Sequence, residues 1–387
     1  MLRKHVIEVR QRDTFAHLGV FSDLIDHAPS GVLREMGQAP GDNLLQRIRD
    51  LLAVESVISA PRELRVESTW TNRGLRCEEV SWSVGYGPRT FGWLMKPEGS
   101  ERLPGILALH GHDGVKFYGK EKIADGPAPS ATSVHALREE LYEGRAFANV
   151  LAAEGFTVLI HDAFLWGSRR FPLETMPPAI HELVDLWAAR EAQRGHVPDA
   201  AERYDVAARH HEHLIAKYCT LMGTSITGLV SYEDRVAAAY LESRPDVDSR
   251  RIGCIGLSGG GCRAALLQAT CDLISAAVVV GMMSTYRHLL DHHVERHTWM
   301  FFPPGLSCFA DWPDLAASRA PSPLLVQFDS DDDLFSLEGM QAADLRLREH
   351  YDRAGRPGAY EGRFYHGPHK FDLAMQLDAF DWLKQNL

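Results

Sequence analysis

The chain has 387 residues, 45% of them hydrophobic and 24% charged, which is the make-up of an ordinary globular protein with a substantial core. Its 41 basic against 52 acidic side chains give a net charge of −11, the wrong overall sign for a nucleic-acid surface. No run approaches the ~18 consecutive apolar residues of a membrane span, and the basic start at Arg3 and Lys4 has no apolar stretch behind it of the kind a secretory signal needs.

Residues 1–70 read as a helical arm, with Leu44-Leu45 and Leu51-Leu52 at helical spacing. No chemistry is visible there; packing or homo-oligomerisation is the role expected of it. The pattern changes at Cys77. Glu79 to Val84 alternates, and Thr90 to Met95 follows a Gly-Pro turn, so the two suggest a hairpin. Short, predominantly apolar runs come next, at 105–109, 156–160, 252–255, 276–280 and 323–328, with a last strand at Tyr360 to Tyr365. Such runs suit strands buried on both faces of a parallel sheet. Helical stretches separate them, including Arg145 to Glu154 and Tyr232 to Ser243. The expected fold is α/β, a mostly parallel eight-stranded sheet flanked by helices over residues 71–387. The interval 164–227 is too long for a plain crossover. It reads as a helical, cap-like insertion over the carboxyl ends of the strands, where such sheets bind ligands.

The most informative segment is Gly256-Leu257-Ser258-Gly259-Gly260, directly after an apolar run and before the helical stretch Arg263 to Leu267. A serine hydroxyl that must protrude from a tight strand-to-helix turn needs neighbours without side chains. Ser258 is therefore the candidate nucleophile. The helix start behind it supplies backbone N–H groups and a positive dipole end. The backbone N–H of Gly259, with that of His112 in His110-Gly111-His112, would face a tetrahedral oxyanion. In a triad running Ser, acid, His, the acid should follow the strand ending at Phe328, where Asp329, Asp331, Asp332 and Asp333 compete. Clearing the strand end favours Asp331 or Asp332, and we read Asp332 as the acid. The base lies in Tyr365-His366-Gly367-Pro368-His369. His369 sits deeper in that loop than His366 and is the base we assign. Trp166, with Phe164, Leu165, Leu186 and Trp187, is apolar and near the expected strand ends, so Trp166 is a candidate for substrate contact.

These segments resemble the α/β-hydrolase superfamily, in its dienelactone-hydrolase and acetyl-xylan-esterase-like branch. The likeness spans roughly residues 75–387 and rests on His110-Gly111-His112, Asp162 with Gly167-Ser168-Arg169, Gly256 to Gly260, Ala320 to Val326, and Asp331 to Phe335. In that branch a Gly-x-x-Asp turn carries the acid. Here Asp329 replaces the glycine and Asp332 falls on the acid. Pro321-Ser322-Pro323 stands where the branch has Pro-Arg-Pro. The resemblance implies a serine hydrolase acting on small carboxylic esters, short-acyl or acetyl esters among them, with no cofactor. An amidase, a peptidase or a C–C-bond hydrolase could use the same triad.

Metal chemistry finds less support in the sequence. His110-x-His112 lacks the continuation of a metal loop. His211-Glu212 begins a zinc pattern that Ile215 breaks, and His293 and His297 have no frame of further ligands. A non-catalytic binding protein would be expected to lack a triad member. The six cysteines form no Cys-x-x-Cys pair and read as reduced thiols, which with the absence of a leader suggests a cytoplasmic protein without membrane or nucleic-acid partners.

Overall fold

The structure is a computed structural model that describes residue 15 and residues 17–31, 33, 43–55, 57–99, 102–291 and 293–387. One sheet of nine strands runs through it: β1 (Arg62–Asn72), β2 (Leu75–Ser83), β3 (Thr90–Pro97), β4 (Leu103–Leu109), β5 (Thr157–His161), β6 (Val247–Leu257), β7 (Ala276–Val280), β8 (Leu324–Asp329) and β9 (Tyr360–Tyr365). The spatial order is β1-β2-β3-β5-β4-β6-β7-β8-β9. The pairs β1–β2, β2–β3 and β3–β5 are antiparallel, and all later pairs are parallel. The helices are α1 (Leu24–His27), α2 (Leu44–Leu51), α3 (Thr132–Tyr142), α4 (Phe147–Ala153), α5 (Pro178–Gln193), α6 (Ala200–Leu221), α7 (Ile226–Ser243), α8 (Gly259–Thr270), α9 (Trp312–Ala316), α10 (Leu337–Arg353) and α11 (Leu373–Asn386).

The sheet separates two cores, and the pleat decides which residue enters which. Along β4, Leu107 and Leu109 join the larger core with α7, α8 and α10, while Ile106 and Ala108 face α4 and α11. β5, β7 and β8 are buried at every position, as central strands of a parallel sheet are, with Thr157, His161, Gln327 and Asp329 buried among their apolar residues.

Two expectations need correction. The strand count among the described residues is nine, because β1 occupies the end of the segment read as helical. Its sequence, Arg-Glu-Leu-Arg-Val-Glu-Ser, is largely charged, and Leu64 and Val66 are exposed on it, so its alternation marks no buried face. It pairs on one side only, as a charged edge strand does. Helix formation in that arm is limited among the described residues to α1, α2 and a single 3-10 turn, and most of 1–42 lies outside them. The helix expected from Tyr232 starts six residues earlier, at Ile226, where the Ser225 side chain caps it.

The long interval after β5 holds two 3-10 turns and the helices α5 and α6, packed through Ile180, Val184, Tyr204, Ala207 and Ala208. Asp199 and Glu202 form a capping box at the start of α6. Asp205 on α6 accepts the backbone N–H groups of Lys116 and Phe117 at 2.7 and 2.8 Å, which ties this helix to the loop after β4. No helix among the described residues is long and apolar enough to cross a membrane. The six cysteines are unpaired, with five of them buried.

Candidate active site

β6 ends at Leu257 and α8 begins at Gly259, so Ser258 is the entire turn between them. Its backbone is held at φ 57° and ψ −118°, a region costing a non-glycine residue on the order of 1–3 kcal/mol. The surroundings enforce it. The Ser258 N–H donates to Val280 O at 2.8 Å, and its carbonyl accepts from Cys262 N–H at 2.9 Å. The neighbouring glycines are steric necessities: a Cβ on Gly256 would lie 2.5 Å from the Gly260 carbonyl carbon, and one on Gly260 would lie 2.1 Å from Leu109 O. The Gly259 Cβ position is 2.6 Å from His112 N, so the backbone of His112 lies against the start of α8.

The loops after β8 and β9 bring His369 and Asp332 together. Asp332 Oδ2 is 2.6 Å from His369 Nδ1, and Asp332 Oδ1 accepts the Leu334 N–H at 2.7 Å. The other candidates go elsewhere. Asp331 accepts the Gly367 N–H, Asp333 pairs with Arg296 at the surface, and His366 meets Ser330. Burial opposes the charged imidazolium of His369. The Asp332 hydrogen bond and charge outweigh it, Asp329 and Asp113 add to them, and its pKa is raised. The His369 ring lies against Gly281, whose Cβ position is 3.4 Å from His369 Cε1 and 2.9 Å from Leu257 Cδ1. Gly281 follows Val280, the residue bonded to Ser258, so His369 stands beside the strand end that carries the serine.

Trp166 is 1% exposed. Its ring packs 5.9 Å from that of His110 and 5.8 Å from that of His112, with Lys116 over its face. This differs from the substrate-contacting role expected from sequence: the ring supports the loop after β4 from beneath and offers no free surface. Leu186 is exposed on α5, away from that group. Trp166→Ala should therefore cost about 3–5 kcal/mol of stability by leaving a cavity. It should slow short and long acyl esters alike, leaving their kcat/KM ratio within about twofold; a thermal melt and an acyl-length series on the same protein check this.

Several further residues surround this group in roles that the sequence does not assign them. Asp162, fully buried, accepts the Lys120 and Ser168 N–H groups and the Lys120 ammonium, each at 2.9 Å. Its carboxylate fills the space where Gly119 and Gly167 would carry a Cβ. Burial raises its pKa, but Lys120 and these N–H donors prevail and lower it. Glu212 on α6 pairs with Lys116 at 2.8 Å, approaches His112 Nε2 at 3.8 Å and accepts the Trp299 N–H at 3.1 Å. Asp329 is pushed up to about 8 by burial, with His369 opposing and Asp332 adding to it. His293 and His297 share no α-helix, since 294–296 is a 3-10 turn. The His297 ring stacks on Phe301 and Phe335, and burial, aided by His293, His369 and His112, lowers its pKa to about 4.

The sheet order, the strained serine turn after β6, and the loops after β8 and β9 together define an α/β-hydrolase fold. No family model matches the chain. It is 26% identical over 276 residues to YtaP of Bacillus subtilis (strain 168), assigned as a hydrolase, across 66% of this chain and 78% of that protein. Among solved structures it resembles a Bacteroides fragilis NCTC 9343 protein assigned as an acetyl xylan esterase, with a TM-score of 0.61 and 15% identity over 84% of this chain and 73% of that one. It also resembles the glucuronoyl esterase from Solibacter usitatus, with a TM-score of 0.58 and 15% identity over 91% and 96%.

Proposed function

We propose that this chain is a serine hydrolase that cleaves carboxylic esters through Ser258, His369 and Asp332. The observation that carries the reading is the 2.6 Å bond from His369 Nδ1 to Asp332, made beside the turn that presents Ser258. That bond fixes the tautomer with the proton on Nδ1 and leaves Nε2 as the base. As Ser258 Oγ bonds to the ester carbonyl carbon, its proton passes to Nε2. The carbonyl oxygen takes up the negative charge, facing the N–H groups of His112 and Gly259. The tetrahedral intermediate then expels the alcohol, which takes the proton from Nε2, leaving an acyl group on Ser258. Water gives a proton to the same nitrogen as its oxygen adds to the acyl carbon, and collapse of this second intermediate breaks the bond to Ser258 Oγ, which takes the proton back from Nε2 as the acid is released. The esterase descriptions of the similar structures support esters over amides, and acetyl or other short acyl groups are the narrower proposal. An acyl-length series of p-nitrophenyl esters, run beside a peptide and an acetylated sugar, tests it. Turnover of short-acyl esters with the peptide untouched is expected; peptide cleavage with inert esters would overturn it.

One observation favours a second reading. Oxygen atoms of Asp329 and Asp332 and a ring nitrogen of His369 lie within 4.8 Å of one another, a spacing that suits a cation. The raised pKa of Asp329 weakens that donor set, since a cation needs the carboxylate form. Ester hydrolysis should survive dialysis against EDTA unchanged, whereas a loss restored by zinc would transfer the chemistry to a metal.

A further inference from the structure

The loop after β4, which carries His112, is held by buried polar side chains. Lys122 is the central one, with a side chain 0% exposed. Its Nζ lies 2.5 Å from the carbonyl oxygen of Gly111, 3.3 Å from that of His112 and 3.1 Å from that of Val115. Asp113 Oδ2 stands 2.9 Å from the same nitrogen, an ionic contact without hydrogen-bond geometry. The Asp113 carboxylate also fills the space of a Cβ on Gly111, which would meet it at 2.3 Å. His110 reaches the same Gly111 carbonyl through Nδ1 at 3.1 Å. The Ala163 N–H donates to His110 Nε2 at 3.4 Å, so the ring proton sits on Nδ1 and Gly111 O accepts it.

We propose that Lys122, assisted by His110, is a positioning residue that aims and polarises the His112 N–H as an oxyanion donor. The Gly111 carbonyl and the His112 N–H belong to one planar, trans peptide unit, so they point in opposite directions. Two donors hold the carbonyl on the interior side. The N–H must then point the other way, toward Gly259, whose Cβ position is 2.6 Å from His112 N. A flip of this peptide would put a carbonyl oxygen into the hole and leave a buried ammonium without its nearest acceptor, an expensive exchange in a dry interior. The ammonium also draws electron density toward the carbonyl oxygen, which makes the N–H of that unit a stronger donor. Lys122 itself meets only protein groups in this arrangement. The inference rests on the hydrolase reading of Ser258.

The test replaces the ammonium without stranding a buried charge. Lys122→Met is combined with Asp113→Asn and compared with Asp113→Asn alone. The first readout is the rate constant for fluorophosphonate labelling of Ser258, which develops charge on the phosphoryl oxygen in the same hole and requires no knowledge of the natural substrate. It should fall on the order of 10²–10³-fold, with kcat for a p-nitrophenyl ester falling in step and KM within about threefold. Lys122→Gln keeps a donor for Gly111 without the charge and should lie between. A purely structural role would lower the melting temperature and leave these rates alone. A labelling rate within about threefold of the Asp113→Asn reference would overturn the inference. If the double variant does not fold, a wild-type rate in Lys122→Gln overturns it equally. Failure of the hydrolase reading looks different: the wild-type protein itself is not labelled at Ser258, and this inference falls with it.

Discussion

Ser258→Ala is expected to lower kcat for ester hydrolysis by about 10⁶ and to abolish fluorophosphonate labelling, the size of loss seen when a triad nucleophile is removed. The change deletes only Oγ. The backbone at φ 57° still carries a Cβ, the N–H bond to Val280 O persists, and the fold is expected to stay intact. His369 and the amides of His112 and Gly259 remain in place, but the carbonyl carbon has no nucleophile other than water. Mass spectrometry of the labelled wild-type protein locates the adduct, and kinetics on the variant measure the loss. Labelling at another serine, or full turnover by the alanine variant, would sink the assignment.

Asp332→Asn is expected to lower kcat by about 10⁴, while Asp331→Asn and Asp333→Asn change it by less than about tenfold. Only Asp332 reaches the ring: its carboxylate is 2.6 Å from Nδ1, whereas Asp331 serves the Gly367 amide and Asp333 serves Arg296. An asparagine presents an N–H or a neutral oxygen there, so the ring is free to take the wrong tautomer. The pH profile separates this from a packing effect. In the wild type the pKa of His369 is raised above its ordinary 6.5, and the base works only when neutral. Activity should therefore fall as the pH drops through that raised value. Without the Asp332 charge the imidazole titrates lower, so the acid limb of kcat/KM should move to lower pH even as the plateau falls. An unmoved limb, or equal losses at Asp331 and Asp332, would remove Asp332 from its role.

The parts of the fold legible in the sequence are those set by short-range rules. Apolar runs such as Ala276 to Val280 can only be strands buried on both faces, and they are. Gly256, Ser258 and Gly260 announce a tight turn, because a backbone passing 2.1–2.5 Å from where a Cβ would sit admits only glycine at the flanking positions. The order serine, aspartate, histidine along the chain narrowed the acid to one loop and the base to another. β1 escaped because an edge strand needs no buried face and its charges resemble those of a solvated helix.

What tertiary structure alone decided is where the buried polar groups go. Asp332 and His369 are 37 residues apart, and although position after the strand favours Asp332 over its neighbours, only the meeting of the two loops brings its carboxylate to the ring. Lys120, Lys122 and Glu212 are of types that ordinarily stay in water, yet all three are buried, each beside a partner of opposite charge. A charge can leave water only where distant segments deliver its counter-charge and acceptors at hydrogen-bond distance. Trp166 carries the same lesson for an apolar group: the sequence marks it as apolar near the strand ends, but only the packing of His110, His112 and Lys116 around it buries the ring against the loop after β4.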